Sequence, residues 1–382
     1  MSLQKFLDAK PLYYDKIDYT RMPRVYEKVQ EHFKHPKIIH LIGTNGKGTT
    51  GRFFASALAS KGFNVGHYTS PHILEFNERI WLNGAHVSEE ELEKAHNFLS
   101  TILSKEDADQ LSYFEYTTFL GMLVYKECDY VVLEAGLGGE HDATAVFEKE
   151  LTLVTPIDFD HEAFLGSSIK EIATTKLNAI QNNAILAKQK FRDVENIAKE
   201  MGLQKDLNIY DVEELLSADD FEKIAYISQQ LSLVDYLQAN LQLSISGLKF
   251  LNIEYDVEDF KDARLFGRLT PLDTNILIDV GHNPLAATSI LKALSPKRYN
   301  LIYNSYKDKN YQEILNILKP IIKKVEIIEL KDERVVSKAE LQSTLNNLEI
   351  EYTTFNKINL ESEYLVFGSF SVVEEFLKGY YE

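Results

Sequence analysis

One short segment constrains the fold more than any other feature of the chain. The apolar, β-branched run 37–42 predicts a strand, and it leads into the glycine-rich loop Gly43-Thr44-Asn45-Gly46-Lys47-Gly48-Thr49. A small-residue pattern over 52–61 predicts a helix after the loop. Helix N-termini attract anions, and glycines let a phosphate approach the backbone closely. The segment therefore predicts a phosphate-binding loop. The alternative is a chance glycine-rich turn, since Leu41 stands where the usual spacing has a further glycine.

Two side chains of this loop suit a nucleotide. Lys47 would reach the outer phosphates as a point charge, and Thr49 would place a hydroxyl near a metal ion. In an open α/β sheet, ligands lie at the carboxyl ends of the strands. Glu134 ends one apolar run there, and His161 follows another. A carboxylate at this edge suits Mg²⁺, and the alternatives are a turn-capping carboxylate and a structural histidine.

Apolar runs alternate with helical patterns along most of the chain, which indicates an α/β protein with parallel sheets. A second α/β series begins near Arg264 after an acidic, less regular stretch. We therefore predict two domains, an ATP-binding domain over 1–263 and a smaller Rossmann-like domain over 264–382. The predicted strands lie at 37–42, 64–68, 130–134, 151–157, 275–280, 298–302, 324–329 and 364–367, and one helical stretch is predicted over 215–240.

Composition excludes several classes of function. Lys and Arg total 41 against 58 Asp and Glu, a formal net charge of −17, which disfavours binding to nucleic acid and to anionic membranes. The single cysteine, Cys128, excludes an internal disulfide framework. No apolar run reaches the length of about 18 residues that spans a bilayer. We expect a soluble, cytoplasmic protein and a monomer.

Two further segments are rich in side-chain chemistry. The stretch 68–80 has no clear period, so it is either a functional loop or an ordinary crossover. Asp279-Val280-Gly281-His282-Asn283-Pro284 follows a strand of the second series, and Asn283 also suits the cap of the helix that begins there.

Together these motifs resemble the folylpolyglutamate synthase and dihydrofolate synthase branch of the ATP-dependent amide ligases that include the muramyl ligases. The matches run in order from about Asp18 to Ser369. They comprise 43–49, Thr69-Ser70-Pro71-His72, Asn77-Glu78-Arg79-Ile80, Phe114-Glu115 with Thr118, 133–139 with Asp142-Ala143-Thr144, Asp160-His161, Gly267-Arg268, Asp279, 281–284, Lys307-Asp308 and Gly368-Ser369.

The resemblance implies a reaction. ATP would phosphorylate a carboxylate of dihydropteroate or a reduced folate, and the amine of L-glutamate would attack the acyl phosphate to give an amide, ADP and phosphate. The implied cofactors are ATP and one or two Mg²⁺ ions. Many bacterial members act on both acceptors, and we expect the bifunctional enzyme.

The resemblance also implies residue roles. Lys47, His161 and Lys176 would be catalytic, Lys176 as a carbamate that bridges to metal. The metal ligands would be Ser70, Glu134 and His161. ATP would contact Gly43, Thr44, Asn45, Gly46, Lys47, Gly48, Thr49, Asn240, Arg268, Asp279, His282 and Asn283, and the acceptor would contact Phe114, Glu115, Thr118, Arg79, His141 and Asp142.

The chain departs from the family pattern at a few positions. Glu140 stands where the family usually has Arg, Ala145 stands for Asn, and Lys176 lies in Thr175-Lys176-Leu177-Asn178 instead of a Glu-Lys-Ala-Gly stretch. The alternatives are a related ligase that acts on a cell-wall nucleotide precursor and a non-catalytic ATP-binding regulatory module. Protection by a pteridine or by a uridine nucleotide against heating would distinguish the ligases, and ATP turnover that needs a second substrate would exclude the module.

Overall fold

The computed structural model describes residues 1–11 and 18–381. The chain divides into two compact units, Met1–Leu233 with Leu237–Arg264, and Val234–Tyr236 with Leu265–Glu382. Each unit has its own sheet, in which parallel pairing dominates, and its own hydrophobic core. The α/β class predicted from the sequence is confirmed. Within the described residues, no helix is long and apolar enough to span a membrane.

The first unit contains both helices and strands, and its last helix, α11, begins in the short piece Val234–Tyr236 that belongs to the second unit. The helices are α1 (Leu3–Asp8), α2 (Arg21–Val29), α3 (Lys47–Ser60), α4 (Glu89–Ile102), α5 (Lys105–Gln110), α6 (Tyr113–Val124), α7 (Glu162–Leu165), α8 (Ile169–Leu177), α9 (Arg192–Lys205), α10 (Ala218–Gln230) and α11 (Asp235–Phe250). The strands are β1 (Lys37–Ile42), β2 (Val65–Tyr68), β3 (Ile80–Leu82), β4 (Ala85–His86), β5 (Tyr130–Glu134), β6 (Leu151–Val154), β7 (Asn183–Leu186) and β8 (Asn208–Asp211).

The sheet of the first unit brings three strand ends together. Its described strands lie in the order β4-β3-β2-β5-β1-β6-β7-β8, and β1 is parallel to both β5 and β6. The register pairs Leu41 with Glu134 and Ile42 with Val154, so the carboxyl ends of these strands lie side by side. The chain leaves β1 toward one side of the sheet and reaches β6 on the other, an arrangement that creates a ligand crevice in open α/β sheets.

The core explains why β1 reads as a continuous apolar run. Both of its faces are covered, by α3 on one side and by helices that include α6 and α8 on the other, so successive residues such as Ile38, Ile39, Leu41 and Ile42 are all buried. Removing this much apolar surface from water stabilises the position of the loop that follows β1.

The second unit has a smaller sheet in the order β13-β12-β11-β14-β10-β9, in which β9 is antiparallel to β10 and the other pairs are parallel. Its strands are β9 (Thr270–Asp273), β10 (Ile276–Asp279), β11 (Tyr299–Tyr303), β12 (Ile322–Ile327), β13 (Tyr352–Thr354) and β14 (Tyr364–Phe367). Its helices are α12 (Pro284–Leu294), α13 (Tyr311–Leu318), α14 (Lys338–Asn347) and α15 (Phe370–Tyr381).

Two helix predictions were wrong in their bounds. The helix after the glycine loop begins at Lys47 instead of Arg52, because Gly46 caps it with φ +95° and its first turn is the loop itself. The stretch 215–240 is not one helix. It contains α10, a break at 231–234, and the start of α11, which continues to Phe250.

Candidate active site

The glycine loop is shaped by close packing at two glycines. Gly43 has φ +132°, and a Cβ there would lie 2.1 Å from Oγ1 of Thr155. Gly46 has φ +95°, and a Cβ there would lie 2.4 Å from Oδ1 of Asn240. Side chains rarely adopt such backbone angles, so both positions require glycine. The structure thereby places Asn240, predicted to contact ATP, directly against the loop.

Two lysines converge on one carbonyl of this loop. The Nζ of Lys176 donates to the carbonyl oxygen of Gly43 at 2.9 Å, and the Nζ of Lys47 lies 3.3 Å from the same oxygen and 3.3 Å from that of Thr44. Lys176 is only 4% exposed, and burial, together with the nearby Lys47 ammonium, lowers the pKa of Lys176 to about 7. We call the residues 43–49, Glu134 and Lys176 the loop edge.

Glu134 and Ser70, two of the predicted metal ligands, are in contact at this edge. The backbone N–H of Ser70 donates to Oε2 of Glu134 at 3.2 Å, and Oε1 of Glu134 lies 3.8 Å from the Nζ of Lys47. Glu134 is buried. The carboxyl end of β5 therefore places a buried carboxylate, of the kind that Mg²⁺ prefers, beside a backbone turn and a lysine.

His161 lies on a segment that is tied to the loop. The hydroxyl of Thr44 donates to the carbonyl of Asp158 and accepts from the N–H of Asp158, both at 3.0 Å. His161 itself has φ +53°, a left-handed conformation uncommon for a side-chain-bearing residue, and its side chain is 41% exposed. The backbone N–H of His161 donates to Oδ1 of Asp160 at 2.9 Å.

The donor set suits Mg²⁺ only in part. Among residues 1–11 and 18–381, no group of three or more His, Cys, Asp or Glu side chains could hold a metal ion. However, Oγ1 of Thr49 is buried and has no hydrogen-bond partner in the described part of the chain. Mg²⁺ usually keeps several waters and substrate phosphates beside one or two carboxylates. The single carboxylate of Glu134 fits that pattern, and a cage of protein ligands alone does not.

Two of the predicted acceptor residues, Phe114 and Asp142, contact Gly136. The ring of Phe114 packs so closely on this glycine that a Cβ there would lie 2.7 Å from Cζ, and Oδ2 of Asp142 accepts from the N–H of Gly136 at 3.0 Å. Thr118 is buried one turn further along α6 and donates to the carbonyl of Phe114 at 2.8 Å. Phe114 and Asp142 thus both contact the turn at Gly136.

Glu115 has protein partners of its own. Its Oε2 accepts from the backbone N–H of Ser112 and from Nε of Arg21, both at 2.7 Å, so it caps α6 and forms an ion pair with little exposure. His141 stacks on Tyr19 with ring centroids 4.4 Å apart. These two rings, with Tyr26 and other side chains of α2, line an open groove of about 280 Å³.

Arg79 lies at the end of the loop that follows β2. Its Nε donates to Nδ1 of His72 at 2.8 Å, and its guanidinium lies 5.3 Å from the ring centroid of Tyr113. Burial, and then the Arg79 charge, lower the pKa of His72 to about 4, so His72 is a neutral acceptor. The predicted substrate residue Arg79 is held by an imidazole and an aromatic face.

In the second unit, Asp279 ends β10 and is held by protein donors. Its Oδ2 accepts from the N–H of Leu269 at 2.9 Å and from the hydroxyl of Tyr236 at 3.0 Å, and its Oδ1 accepts from the N–H of Gly281 at 2.8 Å. Burial raises the pKa of Asp279 against the effects of Arg268 and these bonds.

The remaining predicted residues of this unit are also placed. Asn283 caps α12 by accepting from the N–H of Ala286 at 2.9 Å, with Pro284 in the first turn. Nδ1 of His282 lies 3.2 Å from the carbonyl of Val280, and Arg268 lies over Phe370. The sequence thus predicted a cap as well as a site at Asn283, and the cap is confirmed.

Sequence reasoning missed several residues that shape the site. Thr155 and Asp158 fix the loop from the end of β6, and Tyr19 stacks on His141. Two buried polar residues beneath the site, His40 and Lys149, were also missed. A histidine inside the apolar run of β1 and a lysine directly before β6 were the available signals.

Comparison with known proteins gives a consistent result. No protein-family model matches the chain. A dihydrofolate synthase/folylpolyglutamate synthase of Buchnera aphidicola subsp. Baizongia pistaciae is 30% identical over 326 residues, which cover 80% of this chain and 75% of that protein.

Solved structures agree with this similarity. The crystal structure of Helicobacter pylori folylpolyglutamate synthetase is 39% identical, with a TM-score of 0.80 and coverage of 99% of this chain and 98% of that one. Escherichia coli FolC in complex with DHPP and ADP has the same fold, with a TM-score of 0.81 and 23% identity over 98% of this chain and 96% of that one.

Proposed function

The chain belongs to the dihydrofolate synthase/folylpolyglutamate synthase family, and from that membership we propose how its own residues carry out the reaction. It is an ATP-dependent ligase that adds glutamate in folate metabolism. The observation that supports the residue roles best is the convergence of Lys47 and Lys176 on the Gly43 carbonyl. The Lys47 ammonium at the start of α3 suits the outer phosphates of ATP, and Lys176 lies on the same carbonyl beside it.

The first step is phosphoryl transfer. A carboxylate oxygen of the acceptor attacks the γ-phosphorus of ATP, the bond from phosphorus to the bridging oxygen of ADP breaks, and an acyl phosphate forms. Negative charge grows on the leaving oxygen and on the transferred group. The ammonium of Lys47 and the N–H groups at the start of α3 are positioned to stabilise that charge.

The second step forms the amide. The neutral amine of L-glutamate attacks the acyl carbon, the bond from that carbon to the phosphate-bearing oxygen breaks, and inorganic phosphate leaves with that oxygen. The amine loses one proton to solvent or to a nearby base.

Mg²⁺ would be held by Glu134, Ser70 and His161, with waters and phosphates completing its shell. The Thr49 hydroxyl, which has no hydrogen-bond partner in the described part of the chain, would lie near the ion. When bound, the ion neutralises phosphate charge. The contribution of the chain is to hold the Glu134 carboxylate at the end of β5, in register with the strand that leads into the loop.

Lys176 is the candidate for a carbamate. Formation of a carbamate needs the neutral amine, which attacks CO₂ and loses a proton. Burial lowers the pKa of Lys176 to about 7, so a large fraction of the amine is neutral near neutral pH. The carbamate would place a carboxylate-like group at the loop edge beside Lys47.

The acceptor would bind around the Gly136 turn. Phe114 offers one aromatic face, and His141 with Tyr19 offers a second. Arg79 supplies a cation for a carboxylate of the acceptor. The remaining predicted acceptor residues, Glu115, Thr118 and Asp142, would shape this pocket from inside the protein, because their polar atoms already have protein partners.

From the second unit, Arg268, His282 and Asn283 would contact the nucleotide or glutamate, and Asp279 would orient the segment that carries them. We also propose that the protein is a cytoplasmic monomer that binds neither nucleic acid nor membranes. A single mass of about 44 kDa by light scattering in solution checks the oligomeric state.

The acceptor range is tested by ADP release with Mg²⁺, ATP and L-glutamate. Turnover with both 7,8-dihydropteroate and a reduced folate monoglutamate would establish the bifunctional enzyme. Turnover with one acceptor would restrict the proposal to a single activity, and turnover with neither would overturn it. Omitting glutamate is the control, since ADP should then form slowly or not at all.

A further inference from the structure

Asp142 is buried beneath the turn that follows Glu134, and its carboxylate is saturated by the protein. Its Oδ2 accepts from the backbone N–H groups of Gly136 at 3.0 Å and Leu137 at 2.9 Å. Its Oδ1 accepts from the N–H of Thr144 at 2.9 Å and from the hydroxyl of Thr144 at 2.6 Å. A carboxylate has about four acceptor positions. This arrangement leaves little capacity for a direct bond to a substrate.

The hydroxyl of Thr144 links the Asp142 carboxylate to His40 on β1. Its only proton is donated to Asp142, so it accepts from His40, whose Nε2 lies 2.8 Å away. That bond fixes the proton of His40 on Nε2. His40 is completely buried, and burial, then the charge of Lys149, keep the pKa of His40 well below its usual value. A neutral imidazole in one tautomer therefore supports the threonine.

Lys149 belongs to the same hydrogen-bond network and contacts the backbone that carries Thr144. Its Nζ donates to the carbonyl of Thr144 at 2.7 Å and to the carbonyl of Phe147, and its side chain is 2% exposed. The charge of Asp142 acts against the burial that lowers the pKa of Lys149. We call His40, Asp142, Thr144 and Lys149 the turn network.

The turn network connects parts that the reaction uses. His40 lies three residues before Gly43 on β1, and Gly136 lies two residues after Glu134 and packs against the Phe114 ring. The network therefore fixes the backbone between the candidate metal ligand and the candidate acceptor face. A shift of this turn would move both at once.

We propose that Asp142 is a positioning residue of the ligase reaction, which acts through the Gly136–Leu137 backbone and is held in place by Thr144, His40 and Lys149. This inference rests on the proposed function for its effect on rate. It differs from the direct acceptor contact that the family resemblance implies for Asp142, because the carboxylate is turned into the turn and not toward a ligand.

The first test measures structure without any ligand. Amide hydrogen exchange of Gly136, Leu137 and Thr144 is compared between the unmodified protein, D142N and T144V. The control is E148Q, which changes an exposed carboxylate in the same segment. Both network variants should exchange these amides at least about ten-fold faster, since each loses bonds to a charged acceptor. Unchanged exchange in both overturns the network whether or not the protein acts on folates.

The second test separates positioning from contact by kinetics. D142N and T144V should each lower kcat by about ten- to a hundred-fold, as loss of a supporting hydrogen bond does around other sites, with the acceptor KM changed by less than about three-fold. T144S, which restores the hydroxyl, should recover most of the rate. T144V is informative even if D142N fails to fold.

A direct contact gives the opposite pattern. D142N would then raise the acceptor KM by about ten-fold or more, while T144V, which leaves the carboxylate in place, would have kinetics close to those of E148Q. That result would overturn the positioning role. Absence of turnover in the unmodified protein would instead count against the proposed function, and the exchange comparison would still decide the network.

Discussion

Lys176 and Lys149 are both buried in the first unit, and burial lowers the pKa of each to about 7, but the two sites that contain them differ. At the loop edge, the Nζ of Lys176 shares the Gly43 carbonyl with Lys47, whose own contacts to the loop are 3.3 Å long. In the turn network, the Asp142 carboxylate takes four protein donors at 2.6 to 3.0 Å.

The hydrogen bonds distinguish the loop edge, where the reaction is proposed to take place, from the turn network, which supports the backbone. The long contacts of Lys47 to the loop carbonyls are easily exchanged for contacts to phosphate, which is a stronger acceptor. Short bonds that use the full capacity of a buried carboxylate are costly to break. The hydrogen bonds of a buried charged group therefore indicate whether it takes part in the reaction or supports the backbone. Burial or a shifted pKa alone does not distinguish these two roles.

The largest effect is expected at Lys47. K47A should lower kcat by about a thousand-fold or more, because charge on the transferred phosphoryl group loses its nearest cation. The thermal unfolding temperature should change little, since the side chain makes only long contacts to the loop. K34A, which removes an exposed lysine paired with Glu127, is the control and should be fully active. Near-normal turnover of K47A would refute the phosphate-loop assignment.

The two buried lysines give the sharpest comparison. K176M should lower kcat by about a hundred-fold or more through loss of a group at the reacting phosphate. K149M should lower kcat by less than about ten-fold, because Lys149 acts only through the turn. Steady-state rates at saturating substrates measure both. Equal losses of kcat in the two variants would contradict the assignment of Lys176 to the reaction and of Lys149 to support of the turn.

K149M also makes a prediction about pH. The folded pKa of Lys149 is about 7 against an ordinary value of 10.5, so between these values the unfolded chain holds a proton that the folded chain has lost. This residue therefore makes stability rise with pH across that window. The free energy of unfolding of the unmodified protein, relative to K149M, should increase from pH 7 to pH 10. A constant or falling difference would show that Lys149 titrates normally.

Glu115 extends the comparison to a second saturated carboxylate. E115Q should destabilise the protein by about 1 to 3 kcal/mol, because Arg21 and the start of α6 lose a charged acceptor. The acceptor KM should stay within about three-fold of the unmodified value. Denaturant unfolding and steady-state kinetics measure these separately. A large rise in KM with unchanged stability would mean that Glu115 contacts the acceptor after all.

The smallest effect is expected at the cap of α12. N283A should cost about 1 kcal/mol of stability, and N283D, which keeps a capping oxygen, should cost less. If Asn283 also contacts substrate, N283D should be less active than the unmodified protein although it is stable. Full activity of N283D would leave Asn283 with the cap alone.

The sequence predicted those parts of the molecule that depend on local pattern. The strand Lys37–Ile42 has the predicted bounds and the helix Pro284–Leu294 begins where predicted, because an apolar run and a cap with proline are local signals. The start of α3 was misplaced, because residues 47–51 are glycine-rich and read as loop until the close contacts of Gly43 and Gly46 are known.

The supporting residues of the site could not be predicted in the same way. The members of the turn network come from β1, from the segment after β5 and from the residue before β6, which only the sheet order brings together. Likewise, the pairing of Glu115 with Arg21 spans 94 positions of the chain. Motif reasoning found the charged residues, and the tertiary contacts were needed to divide them into reacting and supporting groups.

The acyl phosphate at the loop edge is the central claim, and the transfer of oxygen tests it most directly. The acceptor is prepared with ¹⁸O in the carboxylate that receives glutamate, and the inorganic phosphate formed with ATP and unlabelled glutamate is analysed by mass spectrometry. The account predicts one labelled oxygen from the acceptor in each phosphate released. Phosphate without label would show that the carboxylate never attacks the γ-phosphorus and would contradict the account.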